Sequence, residues 1–158
     1  MKQIYDVIII GSGPAGLSAG LYAGRAKMKA LMIEKGQHGG QIMSTNSIEN
    51  YPGSIAEESG ESLTARMVEQ CKTFGLEIVQ DTVLKVQLDG AVKTVECENE
   101  TYETKTIIIA TGTNTKNIGC VGEEEFVGRG ISYCATCDAA FFSGLPVYVI
   151  GGGDSAIE

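Results

Sequence analysis

Apolar positions along the chain fall into runs that predict its elements. Ile4–Ile10 (IYDVIII) is nearly unbroken and ends in GSGPAG; Ala30–Glu34 (ALMIE) is a second such run. Runs apolar at consecutive positions predict strands buried on both faces, as in a parallel sheet. Between them, residues 14–27 place small side chains four apart: Ala15, Ala19, Ala23 and Gly16, Gly20, Gly24. That spacing predicts a helix with a smooth side able to approach a sheet closely. Pro14 falls where a first helical turn tolerates proline. Strand, helix and strand make one βαβ unit.

Residues 36–60 read as a long loop, a length that is usually functional or disordered. Residues 61–74 predict a helix with Leu63, Met67, Cys71 and Phe74 along one stripe and Gly75 behind it as a cap. Short strands follow at 77–80, 83–88, 92–98 and 101–103, with Asp89-Gly90 as a hairpin turn. Residues 105–110 predict a further buried strand ending in ATG. The stretch 113–117 is a polar connection, and 145–150 predicts a last apolar strand running into GGGDSAIE. A strand and turn with so little helix after them suggest the front part of a longer protein. The fold class is therefore α/β: a Rossmann-like domain with a parallel sheet and a small antiparallel β layer, over residues 1–115, then the start of a second Rossmann-like domain, over 116–158.

Composition narrows the function. The 158 residues are 43% hydrophobic and 20% charged, a globular profile, and the net charge is −8. That acidity disfavours nucleic acid, which attracts a basic stripe, and anionic membrane surfaces. Residues 4–24 have the length of a membrane span, but Asp6, Pro14 and the β-branched Ile8–Ile9–Ile10 argue for strand, turn and helix instead. Lys2 alone is a poor basic region for a signal peptide, so a cytoplasmic location is expected. Five cysteines, Cys71, Cys97, Cys120, Cys134 and Cys137, fit a reducing compartment.

Two glycine motifs carry chemistry. In Gly11-Ser12-Gly13-Pro14-Ala15-Gly16, the first glycine allows a tight turn, the second lets the backbone approach a pyrophosphate, and the third lets helix and strand pack closely. The helix N-terminus offers free N–H groups to the phosphates. Glu34, ending the second strand, stands where an acid accepts from a ribose 2′-OH, which favours FAD or NAD over NADP. Without a ligand the motif would be a glycine-rich turn. Gly151-Gly152-Gly153-Asp154-Ser155-Ala156 repeats the fingerprint in its GxGxxA form, and Gly151, Gly153 and Ala156 are its marker positions.

Cys134-Ala135-Thr136-Cys137 with Asp138 behind it admits three readings. Zinc takes four ligands, and one pair with a distant His38 falls short, so no metal is expected. An inert buried pair is the second reading. A redox pair suits a chain with two dinucleotide fingerprints, and CxxC at a helix start favours the thiolate that exchange chemistry needs. Asp138 could exchange a proton with a departing thiolate, or be a solvated helix-start acid. His38 reads as a loop residue, Cys71 as core, Cys97 as structural, and Glu123–Glu125 as a solvated charge run. Cys120 is assigned no redox work, and Tyr51-Pro52-Gly53 reads as a turn.

GSGPAG, GGQI with IENYPG, ATG, CATCD and GGGDSA, in that order, resemble the low-molecular-weight thioredoxin reductases, and the resemblance spans the chain. CATCD just before a second glycine motif is its specific part. In glutathione and lipoamide reductases the pair lies near the N-terminus, and the region after Gly36 holds none here. The resemblance implies that Gly11, Ser12, Gly13, Pro14, Ala15 and Gly16 hold the FAD pyrophosphate and Glu34 the ribose. It implies that Gly39, Gly40, Gln41 and Asn50 line the flavin side, and that Ala110, Thr111 and Gly112 pass close to FAD. Cys137 would receive electrons from the flavin, Cys134 would attack thioredoxin, Asp138 would be the acid–base group, and Gly151, Gly153 and Ala156 would begin the NADPH site. A discontinuous FAD domain, a hinge near 113–119, domain rotation and a homodimer are further implications. Cys120 departs from the aliphatic residue the family pattern leads one to expect. Close alternatives are a ferredoxin-dependent flavin thioredoxin reductase and a peroxiredoxin-reducing flavoprotein, the latter disfavoured by a start almost directly at Ile4. A non-enzymatic alternative is a dinucleotide-binding redox sensor. These residues by themselves are expected to bind flavin weakly or not at all.

Overall fold

The computed structural model describes residues 3–114 and 116–157, with the side chains of Thr136 and Ser155 set aside. The run IYDVIII forms β1 (Ile4–Ile10), and its lack of polar alternation has a direct cause: both faces of the strand are covered. Val7 and Ile9 join Ala30 and Met32 of β2 (Ala30–Glu34) in a cluster under two helices, α1 (Pro14–Arg25) and α2 (Gly60–Thr73). Ile8, Ile10, Leu31 and Ile33 point the other way and pack with Val95 and Cys97. Ile8, Ile9, Leu31, Met32 and Ile33 are at most 1% exposed. Each such side chain contributes about 1.5–3 kcal/mol of burial.

The remaining strands are β3 (Glu77–Gln80), β4 (Val83–Gln87), β5 (Lys93–Cys97) and β6 (Thr101–Ile109), and the sheet order is β3-β2-β1-β6-β5-β4. β3, β2, β1 and β6 run parallel; β6, β5 and β4 pair antiparallel. Two expected strands, 101–103 and 105–110, are thus one. Thr104, read as a break between them, is fully buried, and its hydroxyl donates to the Tyr5 and Thr106 carbonyls. The same strand meets β5 at Thr101–Thr104 and β1 from Glu103 to Ile109. Its later half is less buried than its isoleucines suggest: Ile108 is 40% and Ile109 68% exposed, because β5 has ended and that edge has no partner strand among the described residues.

The helices are shaped by small residues and caps. Gly16, Gly20 and Gly24 form the buried stripe of α1; Ala15 is exposed. A Cβ at Gly20 would stand 2.6 Å from Leu76 Cδ2 and 3.0 Å from Met32 Cε, so glycine sets how closely α1 approaches both neighbours. Helix α2 opens with a capping box, Ser59 and Ser62 each accepting the other's backbone N–H. It closes as Gly75 takes φ +80°, Gly75 N–H donating to Lys72 O and Leu76 N–H to Cys71 O. Phe74, expected on the buried stripe, is the cap itself and is 42% exposed.

The loop 36–60 is not structureless. It holds a 3-10 turn at Gly40–Ser44 and a buried carboxylate, Glu58, 1% exposed. Glu58 accepts from Ser62 Oγ, Arg66 and the Ile55 N–H, and its backbone carbonyl accepts from Ile48 N–H. The Ser62 hydrogen bond, opposed by desolvation and aided by Ile55 and Arg66, holds its carboxyl below the usual range.

The chain divides into two compact units, Met1–Gly112 and Thr113–Glu158. Among the described residues the second contains three single-turn helices, α3 (Glu123–Phe126), α4 (Ala135–Asp138) and α5 (Asp154–Ile157), and a 3-10 turn at Ala139–Phe142. The strand expected at 145–150 forms no ladder bonds; Val147, Tyr148, Val149 and Ile150 are 63–93% exposed. An apolar run becomes a parallel strand only beside other strands, and the described residues of this unit supply none. Among the described residues no helix is long and apolar enough to cross a membrane.

Candidate functional site

The parallel strands deliver three chain ends to one edge of the sheet. β1 ends at Ile10 and runs into Gly11, β2 ends at Glu34, β6 ends at Ile109 and runs into Ala110, and β1 lies between the other two. This is a point where strand order reverses, the place where open α/β sheets bind ligands beyond their carboxyl ends.

Gly11 turns the chain there with φ +101°; a Cβ would lie 2.3 Å from Ala110 O. A Cβ at Gly16 would lie 2.0 Å from Gly11 O. These two glycines are required by the fold alone. Gly13 is different. Its φ of −71° suits any residue, and a Cβ would meet only Gly39 O at 3.8 Å and Gly40 Cα at 3.9 Å. Among the described residues nothing excludes a side chain there, so the space above Gly13 is open for a ligand's close approach. Beside it the N-terminus of the 12-residue α1 carries no side-chain cap and no acid in its first turn. Its free N–H groups and the dipole favour an anion.

Ser12 and Glu34 close the far side. The Ser12 N–H and hydroxyl both donate to Glu34 Oε2, at 2.8 and 2.9 Å, and the Gly36 N–H donates to Oε1 at 3.1 Å. Desolvation pushes the Glu34 carboxyl up, but the hydrogen bonds from Ser12, Gly36 and Lys35 outweigh it and hold it below the usual range. Glu34 is therefore a fixed carboxylate at the strand end. His38, read from sequence as a loop residue, belongs to this group: its Nδ1 lies 3.0 Å from Ser12 Oγ. With the hydroxyl proton committed to Glu34, Nδ1 is the donor. No spacing signal in the sequence marks that contact, because it is made across a turn.

The fold brings Gly11, Ser12, Gly13, Gly16, Glu34, Gly39, Gly40, Ala110 and Thr111 together. The Gly39 N–H donates to Ser12 O at 2.9 Å, and Thr111 Cα would be 3.2 Å from a Cβ on Gly11. Pro14 and Ala15 are exposed at the start of α1. Gln41 is exposed in the 3-10 turn, its carbonyl accepting from Ser44. Asn50 is exposed in the bend before Tyr51, and Gly112 is exposed with φ +67°. Among the described contacts none ties Asn50 to the group around Gly13.

In the second unit Cys134 and Cys137 form a disulfide, with S–S 2.07 Å and Cα atoms 5.3 Å apart. Cys134 is the N-cap of α4, Cys137 lies within it, and Asp138 ends that turn. Asp138 Oδ2 accepts from Ser132 Oγ at 2.6 Å, and Ser132 Oγ accepts from the Cys134 N–H at 3.1 Å. Glu123 corrects the reading of 123–125 as a solvated run: it is 5% exposed. Its carboxylate accepts from the N–H groups of Ile118 and Gly119, at 2.9 and 2.6 Å, and from the Tyr133 hydroxyl. Glu124 and Glu125 are exposed as expected. Gly151 turns with φ +126°, and a Cβ there would meet Ala156 Cβ at 3.6 Å; Gly153 O accepts from Ala156 N–H. Cys71 and Cys97 are buried free thiols, and Cys120 is an exposed one.

These features have counterparts in known proteins. The sequence pattern described as pyridine nucleotide-disulphide oxidoreductase matches residues 5–158. A thioredoxin reductase of Peptoclostridium acidaminophilum is 52% identical over 158 residues, all of this chain and 50% of that protein. The crystal structure of a thioredoxin reductase from Streptococcus pyogenes matches 99% of this chain and 51% of its own, with TM-score 0.90 and 46% identity. A ferredoxin-flavin thioredoxin reductase from Clostridium acetobutylicum matches 90% of this chain and 49% of its own, with TM-score 0.66 and 35% identity. The chain spans about half the length of the curated relatives it matches. With a glycine turn open above its middle glycine, a carboxylate fixed at the second strand end and a CxxC disulfide, the chain belongs to the pyridine nucleotide-disulphide oxidoreductase family.

Proposed function

We propose that this chain supplies the first dinucleotide site and the redox disulfide of a flavin-dependent thioredoxin-disulfide reductase, with FAD at Gly11–Gly16 and NADPH as donor. The observation that carries the reading is the Cys134–Cys137 disulfide in a chain about 50% identical to proteins named thioredoxin reductase. The open space over Gly13 and the uncapped start of α1 suit the pyrophosphate of a dinucleotide. Fixed Glu34 suits ribose hydroxyls and repels a 2′-phosphate. Residues 1–115 would be the first segment of the FAD domain and 116–158 the start of the NADPH domain, entered through Gly151, Gly153 and Ala156. Gly39, Gly40, Gln41, Asn50, Ala110, Thr111 and Gly112 would line the flavin.

Bound FAD would supply the electron pair that opens the disulfide at Cys137, drawing it from NADPH. The chain's own residues then do the following. The Cys134 thiolate attacks one sulfur of a thioredoxin disulfide, forming a mixed disulfide and releasing the other thioredoxin sulfur, which takes a proton from Asp138. The Cys137 thiolate attacks Cys134, restoring the internal disulfide and expelling the second thioredoxin sulfur. Thioredoxin sits near −270 mV, so the donor must be about that reducing, as NADPH is.

The test uses the full-length protein, read as a cytoplasmic homodimer. It should be yellow, with flavin absorbance near ~450 nm that bleaches with NADPH, and should reduce a thioredoxin disulfide. Cys137→Ser should keep the bleaching and lose thioredoxin reduction. Colourless protein, or bleaching without thiol release in the wild type, overturns the proposal. The likeness to a ferredoxin-flavin thioredoxin reductase gives a second reading: bleaching by reduced ferredoxin and not by NADPH.

A further inference from the structure

Resting on the reading of Cys134, Cys137 and Asp138 as the reacting groups, we infer that Ser132 is a positioning residue that holds the Asp138 carboxylate for proton transfer. Its hydroxyl has two roles at once. It donates to Asp138 Oδ2 at 2.6 Å and accepts from the Cys134 N–H at 3.1 Å, so one oxygen links the acid to the backbone of the attacking cysteine. The turn is closed from the other side by the N–H groups of Cys137 and Asp138, which both donate to Cys134 O, at 3.2 and 3.1 Å. A short hydrogen bond of this kind orients a carboxyl group that would otherwise rotate freely at the end of a single-turn helix.

Ser132 is itself anchored. The next residue, Tyr133, donates its hydroxyl to buried Glu123, whose carboxylate also takes the Ile118 and Gly119 N–H groups. The segment before the cysteine pair is therefore pinned at Tyr133, and Ser132 transmits that fixed position to Asp138. Asp138 accepts from Ser132 on Oδ2 only; the proton it delivers to a departing thioredoxin thiolate comes from the carboxyl, and Ser132 is neither consumed nor changed in charge.

The experiment is steady-state thioredoxin reduction by full-length protein with Ser132→Ala, Ser132→Thr, Asp138→Asn and the Ser132→Ala/Asp138→Asn double variant. Ser132→Ala should lower kcat roughly tenfold, part of the 100-fold or more that a general acid supplies, with KM for thioredoxin within about twofold and NADPH bleaching of the flavin at the wild-type rate. Ser132→Thr keeps the hydroxyl and should restore most of kcat. In the Asp138→Asn background, Ser132→Ala should cost little more. Wild-type kcat in Ser132→Ala, or the same loss with Asp138 already replaced, overturns the inference. A wild-type enzyme that does not reduce thioredoxin overturns the underlying reading instead.

Discussion

Ser12 and Glu34 are 22 residues apart and joined at two points, the Ser12 N–H and hydroxyl converging on one carboxylate oxygen at 2.8 and 2.9 Å. The bond ties the turn after β1 to the end of β2, so the acid proposed to meet a ribose is also part of the scaffold that shapes the glycine turn.

That double role gives a pH dependence. The Glu34 carboxyl is held below its usual range, so its contribution to stability is present above the unfolded-state pKa and lost as pH falls through the folded one. Wild-type protein should lose stability on acidification below about pH 4.5, and Glu34→Gln should lose less over that window. Urea melts at pH 7 and at pH 3.5 measure it. Equal slopes for the two proteins would remove Glu34 from the linkage.

Gly11 and Gly13 should separate folding from binding. Gly11→Ala places a methyl against Ala110 O at a positive φ and should cost upward of about 2 kcal/mol in a urea melt. Gly13→Ala meets open space and should cost at most about 1 kcal/mol, the N-cap preference. In full-length protein it should nonetheless release flavin on gel filtration. Flavin retained at the wild-type ratio would show that the space over Gly13 serves no ligand.

Free thiols should react in an order set by burial. Desolvation pushes the Cys97 thiol up to about 11, with the Asp81 and Glu100 charges adding to it, and raises Cys71 as well. Native protein treated with iodoacetamide at pH 8 without reductant should be modified at exposed Cys120, with Cys71 and Cys97 following only after urea. Peptide mass spectrometry reads the order, and early labelling of Cys97 would contradict its burial.

Glu123→Ala should leave the Ile118 and Gly119 N–H groups and the Tyr133 hydroxyl without their acceptor, at a cost of about 1–3 kcal/mol. Amide exchange at Ile118 and Gly119 should speed up while β1 and β2 stay protected. Unchanged exchange at both would show the carboxylate to be dispensable to the loop.

The central elements of the fold were readable because their causes are local. Ile4–Ile10, Ala30–Glu34 and Glu77–Gln80 emerged with the expected bounds, since apolar runs punctuated by glycine have few other uses. Residues whose partners are distant misled. Thr104 looked like a break until β1 supplied the Tyr5 carbonyl across 99 residues. Glu123 looked solvated because charge alone does not reveal that a pair of backbone N–H groups and a tyrosine hydroxyl will enclose it. The run 145–150 failed for the converse reason: its pattern is right, but a strand is made by neighbours. In the candidate site, motif spacing pointed to Gly11–Gly16, Glu34 and the cysteine pair, whereas His38 and Ser132 join their neighbours by side-chain contacts that no period encodes.

The strand at 101–109 occupies the middle of the sheet yet is the last of its unit to leave the ribosome. For about a hundred residues of synthesis one flank of Ile4–Ile10 therefore waits unpaired, a sticky ribbon open to wrong partners. Arrival of this segment zips both layers at once, so the nascent chain should gain protease resistance in one late step rather than gradually.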